Sequence, residues 1–89
     1  MKHEFQVTVM LKEGLVDPQG KAVEDALPAM GWEGVSNVRV GKVVHLTVEA
    51  EDDRAAAETA SEVARRLLAN PVIEDVRVAN ARTGEDVGS

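Results

Sequence analysis

The stretch VSNVRVGKVVHLTVEA, residues 35–50, decides the fold. It holds two alternating apolar runs, Val38 and Val40 in the first, then Val44, Leu46 and Val48 in the second. An apolar side chain at every second position is the period of a half-buried strand. Gly41-Lys42 lies between the runs and predicts a tight turn that joins them as a hairpin.

Upstream, Phe5, Val7, Val9 and Leu11 fall at every second position, with Glu4, Gln6, Thr8 and Lys12 between them, which predicts another strand. Gly14 loosens the chain after it. Asp17-Pro18 then offers a capping oxygen followed by a proline whose missing N–H is harmless at a first helical position. From there Val23, Ala26, Leu27 and Met30 recur at helical spacing and predict a stripe that faces a core. Pro28 is discordant, because inside a helix it deletes the bond to the Glu24 carbonyl. A kink or early end is expected there, with Gly31 as a stop.

Downstream, Asp52 and Asp53 place negative charge and a capping oxygen at the head of a second helix, expected to run to about Ala69. Its inward positions are Ala56, Ala60, Val63, Ala64 and Leu67, while Glu62 and Arg66 form an outward pair four residues apart. Asn70-Pro71 ends it. Val76 and Val78 alternate with Asp75 and Arg77 in a last strand, and residues 82–89 read as a flexible tail.

The order strand, helix, strand, strand, helix, strand contains two strand-helix-strand units. With right-handed crossovers, it points to an α+β ferredoxin-like βαββαβ sandwich: a four-stranded antiparallel sheet with two helices on one face. Residues 1–89 form one domain. The opposite sheet face would carry Thr8, Met10, Asn37, Arg39, His45, Thr47, Asp75 and Arg77, a mixed polar surface suited to a hydrogen-bonded contact with another protein. The alternative is a plain solvated face.

Composition narrows the function. Ten Lys and Arg against sixteen Asp and Glu give a net charge of −6, which repels a phosphate backbone. The aromatics that would stack bases on such a sheet are missing, since Phe5 and Trp32 are the only rings. There is no cysteine, so disulfides and thiolate metal sites are excluded. The alternating N-terminus resembles no signal peptide, and no apolar run approaches the roughly 18 residues of a membrane span, so a cytoplasmic address is the default.

Reactive constellations are absent from the pattern. Ser36, Ser61 and Ser89 sit in no nucleophile motif, and His3 and His45 are too isolated to form a metal cage. Gly41-Lys42 fails as a phosphate loop, because Gly34 lies too far back and Val43 replaces the Ser or Thr that would hold magnesium. The acidic run from Glu49 to Asp53 reads as a solvated helix start.

Three segments resemble the PurS family, the small subunit of phosphoribosylformylglycinamidine synthase. They are Leu11-Lys12-Glu13 with Leu15-Val16-Asp17-Pro18-Gln19-Gly20, Ala22-Val23 and Ala26-Leu27; then Val38-Arg39-Val40-Gly41-Lys42; then Leu67-Leu68-Ala69-Asn70-Pro71-Val72-Ile73-Glu74-Asp75. The resemblance implies a non-catalytic accessory subunit of a glutamine-dependent, ATP-hydrolysing C–N ligase of purine biosynthesis. It further implies a homodimer or larger assembly that bridges a PurL-type synthetase and a PurQ-type glutaminase and supports ammonia transfer, with ATP and magnesium held on the large subunit. No catalytic, cofactor or metal residue is implied on this chain. The matched residues Asp17, Gln19, Gly20, Arg39, Gly41, Lys42, Asn70, Glu74 and Asp75 are the candidates for partner contact. Asp17, Gly20 and the adjoining Pro18 also have a structural reading as cap and turn.

Two departures stand out: Pro28 interrupts a helix that relatives continue, and Val76 and Val78 stand where relatives often place tyrosines. A rival reading of the same element order is an ACT-like regulatory module that binds a small ligand at a dimer interface.

Overall fold

The computed structural model describes residues 1–88. Strand β1 (Lys2–Leu11) leads to helix α1 (Pro18–Ala26), and strand β2 (Lys42–Glu49) leads to helix α2 (Asp53–Val63). Strands β3 (Glu74–Asn80) and β4 (Asp86–Gly88) complete the chain. The four strands form one antiparallel sheet in the order β2-β1-β3-β4. The ferredoxin-like α+β class is the one expected, but two strand assignments change.

The core follows from alternation. Registers Phe5↔Leu46, Val7↔Val44 and Val7↔Val78 place Phe5, Val7, Val9, Val44, Leu46, Val48, Val76 and Val78 on one face. Against them lies the alanine row of α2, with Ala56, Ala60 and Ala64 fully buried. Side chains this small let the helix approach the sheet closely. Asp52 caps α2 by accepting the Ala55 amide at 2.8 Å, and Glu62 and Arg66 pair at 2.9 Å, both as expected.

The end of α2 departs from a regular helix. A widened turn over Ala64–Leu68 lets the Ala69 amide reach back to the Ala64 carbonyl. The extra residue rotates Leu67 out to 79 % exposure and turns Leu68 toward the core. Leu67 is therefore not an inward position, because straight helical spacing does not survive the inserted residue.

The expected hairpin does not form. Residues 35–41 are not a strand, and β2 pairs with β1 from Val9↔Lys42 onward. The amides that a hairpin would use go elsewhere: Val38 donates to Glu24 Oε1 at 3.0 Å and Val40 to Asp17 Oδ2 at 2.8 Å. Both carboxylates belong to the α1 segment, so residues 38–40 are bound to that helix instead of to a neighbouring strand. The fourth strand comes from the C-terminus. Asn80 folds back through Arg82, Thr83 and Gly84, and Val78 and Ala79 pair with Gly88 and Asp86. Residues 86–88 of the expected tail are thus sheet, while Ser89 lies outside the described residues.

Helix α1 starts and stops where its residues dictate. Asp17 caps it, α-helical geometry ends at Ala26, Pro28 opens a short 3-10 turn, and Gly31 ends that turn at φ 98°. The stripe on this helix finds no core in its own chain, with Val23 45 % and Met30 67 % exposed. Residues 12–41 form an arm beyond the sheet. The molecule measures 52 × 27 × 15 Å with a radius of gyration of 16.1 Å, against about 12 Å for a compact chain of this length.

Candidate functional site

Most candidate residues meet where the arm joins the sheet. Asp17 is the centre. Its Oδ1 accepts the Gly20 amide at 2.9 Å and its Oδ2 accepts the Val40 amide at 2.8 Å, so one carboxylate ties the start of α1 to the strand-like segment beside it. The Gly20 amide, then that of Val40, hold the Asp17 carboxyl below the ordinary aspartate range. The Gln19 amide and the Arg39 charge add to the effect, and partial desolvation opposes it.

Gly20 is the one buried residue of α1. A Cβ there would overlap the Val38 carbonyl and stand 2.9 Å from its carbon, so only glycine allows the helix this close to residues 38–40. Gly41 has a similar role at the start of β2, where a Cβ would meet Met10 Sδ and the Val9 carbonyl. It is a close-approach glycine at the sheet edge, not the turn of a hairpin.

Arg39 does not lie on the open sheet face. Its guanidinium donates to the Leu11 carbonyl and stands 4.0 Å from Glu13 Oε1, which holds the arm against the end of β1. Asn37, also expected on that face, lies in the same non-strand segment at φ 58°. The face actually consists of Glu4, Gln6, Thr8 and Met10, with Val43, His45 and Thr47 on one side and Asp75, Arg77 and Ala79 on the other.

Two grooves flank this junction. One, of about 440 Å³, gathers Asp17, Gln19, Gly41, Lys42 and Glu74 between α1 and the sheet end. The other, of about 450 Å³, runs between residues 13–17 and 37–39, with Lys21, Glu24 and Arg39 on its walls. Asn70, Glu74 and Asp75 form a neighbouring cluster. The Asn70 amide donates to Glu74 Oε1 at 2.8 Å, Asn70 Oδ1 accepts the Val72 amide at 3.1 Å, and Asp75 pairs with Lys12 at 2.8 Å. These three residues build the turn into β3 and lock it to β1.

The side chains of Asp17, Glu24, Arg39, Asn70, Glu74 and Asp75 are therefore spent on backbone amides, a carbonyl and exposed ion pairs, while apolar side chains of the arm face outward. Sequence reasoning missed Glu24, whose carboxylate caps Val38. An acidic residue on the outward side of a helix gives no sign that a second segment will bring an amide to it. Among the described residues, no group of three or more His, Cys, Asp or Glu is gathered in metal-binding geometry. No helix among them is long and apolar enough to cross a membrane.

The fold is an elongated α+β domain of ferredoxin-like class whose arm is fastened by carboxylate-to-amide clamps. Comparison with known proteins makes this specific. Residues 4–82 match the family described as PurS: phosphoribosylformylglycinamidine (FGAM) synthase. The PurS subunit of Bacillus subtilis is 45 % identical over 75 residues, covering 84 % of this chain and 88 % of the relative. That of Synechocystis is 40 % identical over 77 residues, covering 84 % and 77 %. Among solved structures, a chain of PurLQS from Thermotoga maritima superposes with a TM-score of 0.83 at 32 % identity, covering 90 % of this chain and 98 % of that one. B. subtilis PurS superposes with a TM-score of 0.75 at 45 % identity, covering 88 % and 95 %. The chain belongs to the PurS family, the PurS subunit of phosphoribosylformylglycinamidine synthase in purine biosynthesis.

Proposed function

We propose that this chain is the non-catalytic subunit that joins a PurL-type synthetase to a PurQ-type glutaminase and supports the passage of ammonia between them. In this reading ATP and magnesium act on the large subunit, the complex works in the cytoplasm, and the chain itself is at least a dimer. The arm carries the proposal. Leu15, Val16, Val23, Met30, Trp32 and Val35 are all exposed on it, and an apolar surface of this extent on a small domain marks a protein contact. The clamps from Asp17, Glu24 and Arg39 fix its shape, so the contact is organised before a partner arrives and less ordering entropy is lost on binding.

The Thermotoga chain with which this fold superposes is part of a PurLQS structure, which supports the same assembly here. The ACT-like alternative draws no support from these relatives.

Mixing the protein with the two partner subunits and measuring glutamine-dependent amidine formation, with and without it, tests the reading. Formation should require the chain, and the chain alone should show neither glutaminase nor ATP-dependent activity. Turnover by the isolated protein overturns the reading. Arg39→Ala frees the arm from Leu11 and should reduce co-elution with the large subunit before either half-reaction changes. Unchanged co-elution counts against a docking role for the arm.

A further inference from the structure

We infer that residues 83–88 are an edge guard: folded back as β4, they close the β3 side of the sheet to strands of other molecules, so that further copies of this chain cannot add there and extend the sheet without end. The inference concerns the covered edge and stands apart from the bridging role.

Without β4 the sheet would be β2-β1-β3, with a long strand at each side, eight residues in β2 and seven in β3. Both run antiparallel to β1, so they run parallel to each other. A copy displaced sideways would therefore lay its β2 along β3 with helix side next to helix side, the alignment that a continuous core requires. The level fits as well. Val44 and Val78 both stand opposite Val7, so the same displacement brings the partner's Val44 beside Val78, apolar against apolar. Contacts of this head-to-tail kind do not close, and they run on into open filaments.

Strand β4 stands at that point. Gly88 lies opposite Val78 and Asp86 opposite Ala79. Val87 packs against the core at the margin that an added strand would cover. The bonds that hold the segment are local: Asn80 Oδ1 accepts the Arg82 and Thr83 amides at 2.8 and 3.1 Å, the Asn80 amide donates to the Glu85 carbonyl at 2.9 Å, and Arg77 pairs with Asp86 at 2.5 Å. The half of β3 that β4 does not reach carries the charges of Glu74, Asp75 and Arg77. Short strands, covering segments and charge are the means by which natural sheets keep their edges from pairing.

Two observations distinguish this segment from an ordinary core strand. The residues matched to the PurS family are 4–82, so the strap is an addition to the part that this chain shares with the family. It is also imperfectly fitted. Ser61 Oγ is buried beneath Gly88 and has no hydrogen-bond partner among the described residues, an uncompensated desolvation, and β4 itself is only three residues long. So short and imperfect a strand contributes little to the core, and its effect lies in what it excludes.

Gly88 supplies the test. A Cβ there would overlap Ser61 Oγ and stand 3.2 Å from Ser61 Cβ, close to the roughly 3.5–4.5 Å that a disulfide spans. The chain has no cysteine of its own, so the double variant Ser61→Cys/Gly88→Cys has two defined states. Oxidised, it locks β4 in place; reduced, the two side chains collide and β4 is expelled. In sedimentation velocity the oxidised form should match the unaltered protein at every concentration. The reduced form should grow with concentration to species of about twice that mass or more. Its Asn80 amide should exchange about tenfold faster, with the Val7 and Val9 amides of β1 still protected. Equal sizes in the two states, failure of the disulfide to form, or growth accompanied by loss of protection at Val7 and Val9 overturns the inference. Val87→Asp loosens β4 from the core without altering β3 or Ser61 and should produce the same growth in a chain without thiols. Unchanged size in that variant overturns the inference as well.

Discussion

Gly20→Ala sets two effects of opposite sign against each other within one residue. Alanine is favoured over glycine in a helix by at most about 1 kcal/mol, and Gly20 stands in the first turn. The new Cβ, however, would stand 2.9 Å from the Val38 carbonyl carbon and 3.0 Å from Asp17 Oδ2, and would overlap the Val38 oxygen. The carbon contact is too close by about 1 Å. Two of the three atoms are backbone, and the third is the end of the Asp17 side chain, held by the Gly20 and Val40 amides, so the strain should fall in the usual range for overpacking, about 2 kcal/mol. The net effect is a loosening of residues 38–40 from α1 by about 1 kcal/mol, or roughly fivefold in the local opening equilibrium. Because the arm stands off the sheet, the loss should stay local. Amide hydrogen exchange is the suitable assay: the Val38 and Val40 amides, held by Glu24 and Asp17, should exchange about fivefold faster, with Val7 and Val78 in the sheet unchanged. Equal or slower exchange at Val38 and Val40 would show that helix and segment separate without cost, and the close-approach account of Gly20 would be wrong.

Other perturbations separate the core, the clamp and the surface. Val78→Ala removes buried carbons at a position with 0 % exposure and should cost about 2–3 kcal/mol. At fixed protein concentration that lowers the melting temperature by about 10–20 °C. The Asp17 carboxyl is depressed in the folded state, so its contribution is fully present at neutral pH and is lost as pH falls through the folded-state value. The Val40 amide resonance should accordingly titrate below the ordinary aspartate range and lose that titration in Asp17→Asn; a midpoint within the ordinary range would count against the clamp. Lys12 and Asp75 are both exposed, so Lys12→Ala should change denaturant stability by less than about 1 kcal/mol.

The local sequence was enough wherever a residue acts on its immediate neighbours. Asp17 and Asp52 cap their helices, Pro28 and Gly31 end the first, and period-two alternation located β1, β2 and β3, because caps, ring constraints and pleats depend on contacts a few residues away. The shared role of the candidate residues was legible only in part. Asp17 and Gly20 do hold a cap and a close approach, but Arg39 was placed on a sheet face that it never joins.

Tertiary structure decided what competes for the amides of residues 38–40. Alternation says that such a segment is extended, and it is silent on whether its donors meet a strand or a carboxylate. Here Asp17 and Glu24 bring carboxylates to them, charge-assisted acceptors stronger than a strand carbonyl, and the segment joins the arm. The vacancy in the sheet order passes to residues 86–88, whose short polar surroundings carry no strand signal of their own. Their place depends on the free edge of β3, a feature that exists only after the rest of the chain has folded.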